Sequence, residues 1–368
     1  MRKIFSHKIT DAEKSKKVNS KPEYNSYEWL IAVDAVEEIA PESNSFDALK
    51  QAVEQTKDWW FGYFSYDLKN ELEDLQSNNF DGLQFGQLHF FRPKLVFILL
   101  NDTLEIHYLE SELNSEEIKK TIENIWDETI TLEPQTPVKV QARISKEAYL
   151  NAVKSLKKHI RRGDIYEINF CQEFFVEQVC INPEQLYNHL KEVSPTPYGC
   201  FYKTKNHYLL SASPERFIKK KGAKLISQPI KGTAKRGANK SEDDAIKHHL
   251  FTDAKERAEN IMIVDLVRND LSHTATKGSV KVEELCRIYS FPQVHQMIST
   301  VVANLRNDIH FVEAIKQCFP MGSMTGAPKI RAMKLIEQYE STKRGLYSGA
   351  VGYITPQGDF DFNVVIRS

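Results

Sequence analysis

Apolar positions recur along the chain with two periods, and the changes of period outline the elements. Tyr149, Val153, Leu156 and Ile160 return at helical spacing, with Ser145 placed to cap the start and Gly163 to stop the end. The spacing predicts a helix over 146–162. From Ile165 to Phe175 the pattern alternates, with Tyr166, Ile168 and Phe170 on one face and Glu167, Asn169 and Cys171 on the other. A strand with two polar side chains on one face either meets water or lines a site. Residues 199–234 read as successive strands with turns at Lys205-Asn206 and Lys221-Gly222. A long helix over 253–268, a strand–loop stretch, a helix over 311–317, a Gly-rich loop, a helix over 328–339 and a closing hairpin over 346–367 follow. The last residues, Val364 to Ser368, read as a strand.

Earlier in the chain, Trp59-Trp60-Phe61-Gly62-Tyr63-Phe64-Ser65-Tyr66 reads as a core strand, with an aromatic ligand cage as the rarer use of such rings. Residues 88–109 alternate strand runs and short turns. Residues 1–21 carry seven Lys/Arg against two Asp/Glu and read as a solvated end. Two prolines in Leu132-Glu133-Pro134-Gln135-Thr136-Pro137 mark a linker. The boundary falls there, between an N-terminal region 1–135 and a larger region 138–368. Strands and helices without regular βαβ alternation predict an α+β fold.

Composition removes several functions. Lys+Arg is 49 against Asp+Glu 50, a net charge of -1 over 368 residues, which argues against a nucleic-acid or membrane-surface role. No apolar run reaches the roughly 20 residues of a membrane span. The start has no apolar stretch of the signal-peptide kind. Five scattered cysteines without a C-x-x-C pair argue against a disulfide framework or zinc site and fit a reducing cytoplasm.

Four groups of residues carry candidate chemistry. In Ser227-Gln228-Pro229-Ile230-Lys231-Gly232-Thr233-Ala234, Lys231 is either a strand-end lysine in solvent or an amine nucleophile; burial disfavours a charged amine. Glu215, in Ser213-Pro214-Glu215-Arg216-Phe217, is either a general acid or a surface partner of Arg216. A strict two-residue loop at Lys221-Gly222 would put Glu215 and Lys231 on opposite faces; they share one only if the loop has an odd length or a bulge shifts the parity, with Pro229 the candidate. Glu256 and Glu259 lie three apart on one helical face and offer oxygen ligands suited to Mg²⁺, or salt bridges to Lys255 and Arg257. The loop Pro320 to Lys329 has two glycines and two hydroxyls before a helix, a setting for a carboxylate or phosphate. It lacks the P-loop spacing. Arg367 has the guanidinium to hold a second carboxylate bidentately.

From about residue 140 onward the chain resembles the chorismate-utilising enzymes, which include anthranilate synthase component I, aminodeoxychorismate synthase component I, isochorismate synthase and salicylate synthase. The matching segments are SPERF (213–217), PIKGT (229–233), AENIMIVDLVRNDLS (258–272), GSMTGAPK (322–329) and GLYSGAVGYITPQGDFDFNVVIRS (345–368). The first 130 residues match loosely, through FGYFSYDL (61–68). The resemblance implies an anthranilate synthase component I-like fold of large mixed or antiparallel sheets packed face to face, with helices outside. In aminodeoxychorismate synthases the PIKGT lysine is a nucleophile, and this chain has Lys231. In the isochorismate and salicylate synthases a lysine after the first helix activates water; that position falls on Glu167 here. Both differences point to aminodeoxychorismate synthase component I, a Mg²⁺-dependent enzyme that aminates chorismate at C4. The resemblance then casts Lys231 as nucleophile, Glu215 as acid, Glu259 as metal ligand, and Ser323, Gly326, Tyr347, Arg367 and Thr233 as substrate-binding positions. It also implies ammonia from a separate glutamine amidotransferase subunit.

Three departures from the family pattern matter. A histidine of many anthranilate synthases falls on Gln296, with His295 one residue earlier, and either can serve the site. The tryptophan-binding L-L-E-S motif is not recognisable, so no tryptophan feedback is expected. Relatives continue past the I-R-S segment with a turn and an acidic helix holding a second metal carboxylate, so 1–368 is expected to be truncated, and a catalytically incomplete chorismate-binding protein is the competing reading. A Schiff-base lysine for pyridoxal phosphate finds no phosphate cup in the sequence.

Overall fold

The computed structural model describes residues 2–8, 26–101, 103–127 and 137–368. The N-terminal part contains β1 (Arg2–Lys8), β2 (Trp29–Ile39), α1 (Ser45–Gln55), β3 (Trp60–Phe64), β4 (Leu88–Leu100), β5 (Thr103–Leu109) and α2 (Ser115–Asp127). There follow β6 (Gln141–Ala142), α3 (Lys146–Arg162), β7 (Glu167–Ile168), β8 (Phe174–Phe175), α4 (Pro183–Val193), β9 (Tyr198–Thr204) and β10 (His207–Ser213). The central run is β11 (Arg216–Lys221), β12 (Lys224–Gln228), β13 (Ile230–Lys235), α5 (Lys240–Thr252) and α6 (Ala254–Ser272). The chain closes with β14 (Lys281–Ser290), β15 (Val294–Asn304), α7 (Phe311–Cys318), β16 (Gly326–Ala327), α8 (Lys329–Tyr339), β17 (Ala350–Ile354) and β18 (Phe360–Asn363).

An antiparallel sheet of 12 strands organises the molecule, in the order β1-β5-β4-β3-β17-β18-β11-β12-β15-β13, with β2 on β4 and β14 on β15. β17 lies between β3 and β18, so the sheet runs across the boundary drawn near residue 135. This is the α+β class expected. The aromatic segment is core: Trp60 and Phe64 are buried, and Phe64 meets Phe90 and Phe362 edge-on at centroid distances of 5.1 and 5.2 Å. Phe217, Ile263, Val264, Val267 and Ile315 join the same cluster, seating α6 and α7 on the sheet. No described helix is long and apolar enough to cross a membrane.

Several expectations change. α3 matches its prediction, with Ser145 Oγ accepting from Ala148 N and Gly163 left-handed at φ 84°. Part of the expected solvated end is β1, paired with β5. The Pro-rich linker lies outside the described residues except for Pro137. The strand expected over 165–175 is broken, because its backbone serves several partners. β7 pairs with β16 and β8 pairs with β6, while Asn169 N bonds Thr325 O and Cys171 N bonds the Glu340 carboxylate. Val364 to Ser368 is not a strand; its backbone is bonded piecewise, as in Val364 N to Glu215 O and Ala212 N to Arg367 O. The helix α5 was not anticipated, since Leu250 is its one buried residue and its apolar periodicity is weak.

The segments that lose regular pairing are gathered by one buried ion pair. Arg344 bonds Glu340 through Nε and Nη2 at 2.9 and 2.6 Å, and both are buried. The same guanidinium donates to Met324 O and Asn169 O, and it stacks over Tyr66 at 4.6 Å. It thus holds the 169–171 stretch, the 322–324 turn and the start of the closing hairpin together. Removing one partner strands a buried charge. Arg344→Ala is expected to destabilise the fold by about 3–5 kcal/mol, read from the denaturant midpoint; an unchanged midpoint would show that the pair has no such role.

Candidate active site

Glu215 and Lys231 meet because β11 contains an extra residue. The β11–β12 turn is Gly222-Ala223, one residue later than expected, with Lys221 opposite Lys224. That register, continued, would place Lys231 on the face away from Glu215. Instead the register shifts between Arg216 and Lys219, so that Arg216 lies opposite Gln228. The same shift appears against β18. Glu215 thereby falls opposite Pro229, two residues before Lys231 and on the same face. The parity shift needed by the sequence argument is present, but around Phe217–Ile218 instead of at Pro229.

A second bulge aims the lysine. Between Ile230 and Thr233 the pairing of β13 with β15 slips by one, and Gly232 takes φ +95°. A Cβ on residue 232 would come within 3.2 Å of Glu256 Oε2, so glycine here admits the α6 carboxylate to the strand. Asn260, one turn along α6 and fully buried, pins the bulge by donating to Lys231 O at 3.3 Å and Met297 O at 3.2 Å. Lys231 Nζ reaches Glu167 Oε1 at 2.6 Å. Gly326, at φ +145°, lets β16 close on β7; a Cβ there would lie 2.2 Å from Glu167 O. Of the two uses the alternation left open for Glu167, Asn169 and Cys171, water or a site, the structure shows the second: Asn169 Nδ2 bonds Ser323 O at 3.4 Å, and Tyr347 lies against Cys171.

Glu215 is 4% exposed and is not a surface partner of Arg216. Arg216 is itself buried and bonds Asp361 at 2.8 and 3.0 Å. Burial pushes the Glu215 carboxyl up to about 7; the facing Ser323 hydroxyl, the Lys231 charge and the Ile230 N–H pull the other way. A carboxyl in this state carries a proton near neutral pH and is able to give it away. Glu167 Oε2 is buried without a hydrogen-bond partner, and Ser323 Oγ faces only the Glu215 carboxyl, which suits a site meant for a polar ligand.

Other predicted residues are placed differently. Gly326 sits in the wall through its backbone. Tyr347 is exposed at the rim, with its hydroxyl raised to about 12 by burial of the ring's polar end. Thr233 lies opposite Gln296, on the face turned from α6, so β13 does not present it together with Lys231. Arg367 is exposed, at φ 52°, with no ion pair among the described residues. His295 is buried away from the site, between Ser290 Oγ and Asp243 Oδ1. Glu256 and Glu259 sit beside the bulge, and Lys255 Nζ lies 3.6 and 3.0 Å from them. Two partly exposed carboxylates fit a hard cation such as Mg²⁺, which takes one or two protein carboxylates and completes its shell with other oxygens. Asn260 and the Arg344–Glu340 pair were not singled out from sequence; the i,i+4 spacing of Glu340 and Arg344 was the available signal.

The family profile described as chorismate binding enzyme matches residues 7–368. This chain belongs to the chorismate-binding enzyme family. Within that family it is 33% identical over 318 residues to aminodeoxychorismate synthase component 1 of Bacillus subtilis (strain 168), covering 83% of this chain and 67% of that protein. It is 32% identical over 323 residues to anthranilate synthase component 1 of Aquifex aeolicus (strain VF5), covering 83% and 65%. The chain therefore spans about two thirds of the length of these relatives. Anthranilate synthase component I from Streptococcus pneumoniae TIGR4 has the same fold, with a TM-score of 0.80 and 26% identity, covering 98% of this chain and 86% of that one.

The raised Glu215 carboxyl has a sign that can be checked. Its folded pKa lies above the ordinary value of 4.5, so the proton it keeps favours the folded state most at low pH, and that contribution is lost as pH rises through about 7. Carbon-13 labelling of glutamate should show one carboxyl titrating near 7, and Glu215→Gln should remove that resonance. Titration of every glutamate below about 5.5 would contradict the assignment.

Proposed function

We propose that this chain aminates chorismate at C4, the reaction of an aminodeoxychorismate synthase component I. The observation that carries the reading is the pairing of Lys231 and Glu215 on one face, an amine beside a carboxyl whose pKa burial raises to about 7. Chorismate is a dicarboxylate with an allylic hydroxyl at C4. Glu215 protonates that hydroxyl as it departs, and the Lys231 amine forms a bond to C2. Ammonia then enters at C4 and displaces the lysine, restoring the diene. Ser323, the backbone at Gly326, Tyr347 and Arg367 are the groups available to the two carboxylates. Glu259, with Glu256 beside it, is the position to hold Mg²⁺, which when bound supplies Lewis acidity at the ring carboxylate. The ammonia is supplied by a separate glutamine amidotransferase subunit.

A second reading, anthranilate synthase component I, is favoured by relatives of that name at 32–33% identity, as close as the aminodeoxychorismate synthase of Bacillus subtilis. The two differ in product. With chorismate, Mg²⁺ and ammonium salt, the proposed reaction gives 4-amino-4-deoxychorismate and no pyruvate; anthranilate with pyruvate would decide for the second reading. Lys231→Ala is expected to abolish or redirect amination, and an unchanged product at an unchanged rate would remove the covalent role. Glu215→Gln should lower kcat/KM about 10²–10⁴-fold. In the wild type kcat/KM falls as pH rises above about 7, because the acid is then ionised; a flat profile to pH 9 would contradict that role.

A further inference from the structure

Glu167 has a second oxygen that its one ion pair does not use. Oε1 faces Lys231 Nζ at 2.6 Å, while Oε2 is buried and has no hydrogen-bond partner. The backbone around it is held on both sides. Tyr166 N bonds Ala327 O at 2.7 Å, Asn169 N bonds Thr325 O at 2.9 Å, and Gly326 packs on the Glu167 carbonyl. A carboxylate anchored in this way does not follow Lys231 when Lys231 moves. Yet bonding of Lys231 to C2 of the substrate draws the amine off Glu167 and leaves a largely buried anion without its counter-charge, a strongly unfavourable arrangement. The group that restores the contact is a second ammonium, with the same head, the same charge and the same donors as the lysine terminus.

We propose that Glu167 is the ammonium-binding residue of this site: it holds the Lys231 amine between turnovers and seats an incoming ammonium ion once Lys231 is bonded to substrate. The inference rests on the amination reading. Its protons balance. Lys231 passes one proton to Glu167, which releases it to solvent. Glu215 gives one to the departing hydroxyl, which leaves as water, and regains one from solvent. Ammonium then loses a proton to Glu167, and the ammonia forms the C4–N bond as the C2–N bond breaks. Lys231 departs as a neutral amine and takes back the Glu167 proton. Chorismate and ammonium yield the aminated product and water, with no oxidant or reductant.

Thermal melting tests the seat without requiring turnover. Lys231→Ala leaves the Glu167 carboxylate open, so ammonium chloride should raise its melting temperature on the order of 2–4 °C over tetramethylammonium chloride at equal ionic strength. Lys231→Ala combined with Glu167→Gln should lose that rise. No ammonium-specific rise in Lys231→Ala overturns the proposal. Kinetics of the enzyme with intact Lys231 separates binding from mere anchoring. Glu167→Gln should raise KM for ammonium about tenfold or more, a loss of roughly 1.4 kcal/mol or more in binding, with KM for chorismate changed far less and Glu167→Asp restoring part of the effect. Equal changes in both KM values, or a loss confined to kcat, would reduce Glu167 to a support for Lys231 and overturn the ammonium role. If the melting effect is present but no aminated product forms, the amination reading fails and the ammonium seat stands.

Discussion

The side-chain period of a β-strand is two, and the whole site depends on breaking that period at the right places. Glu215 lies just before β11 and Lys231 lies on β13, which follows β12 along β15, and a regular β11–β12 hairpin closing at Lys221 and Lys224 would turn them to opposite faces. The extra residue in β11 brings them to the side of the sheet where α6 lies. The slip in β13 then projects Lys231 and brings Gly232 up to Glu256. Neither irregularity would persist without compensation, because a bulge leaves backbone groups unpaired. Asn260 supplies that compensation at β13, and β18 follows the shift of β11 on its other edge.

Around these two strands the protein uses buried charge as scaffolding. Arg344 satisfies three carbonyl or carboxylate groups from segments that have no ladder of their own, and Lys329 bonds Asp270 at 2.7 Å beneath the same loop. The result is a wall, from Glu167 through Gly326 to Ser323, whose backbone is committed and whose side chains face Lys231 and Glu215. Such preorganisation keeps Glu215 out of water, and burial raises its carboxyl to about 7, so that it still carries a proton in part at neutral pH. It also leaves Glu167 Oε2 without a hydrogen-bond partner.

Much of this was legible along the chain. Ser145 and Gly163 marked α3 because caps are local chemistry. The polar face of Glu167, Asn169 and Cys171 was visible because alternation survives even where the strand does not. The requirement for a parity shift was also visible, but its position was not: Phe217 and Ile218 carry no Gly or Pro to announce a bulge. The breaks in 165–175 depend on Thr325, Gly326 and Glu340, more than 150 residues away, which no local pattern encodes. Thr233 was assigned by its place in a motif, and the slip beside it turned it to the other face. Arg216 looked like a surface partner for Glu215, yet its partner Asp361 arrives from the end of the chain.

Membership in the chorismate-binding enzyme family sets the ligand class, and the bulged strands give it an amine and an acid on one side. The central claim is that Lys231 becomes bonded to the substrate before ammonia arrives. Acid quench of the chain with chorismate and Mg²⁺ in ammonia-free buffer, followed by intact-mass and peptide mapping, tests it most directly. The account predicts a gain of one chorismate less one water, located on the peptide that contains Lys231 and absent in Lys231→Ala. An unmodified chain that still aminates chorismate once ammonium is added, with Lys231→Ala doing so equally well, would contradict it.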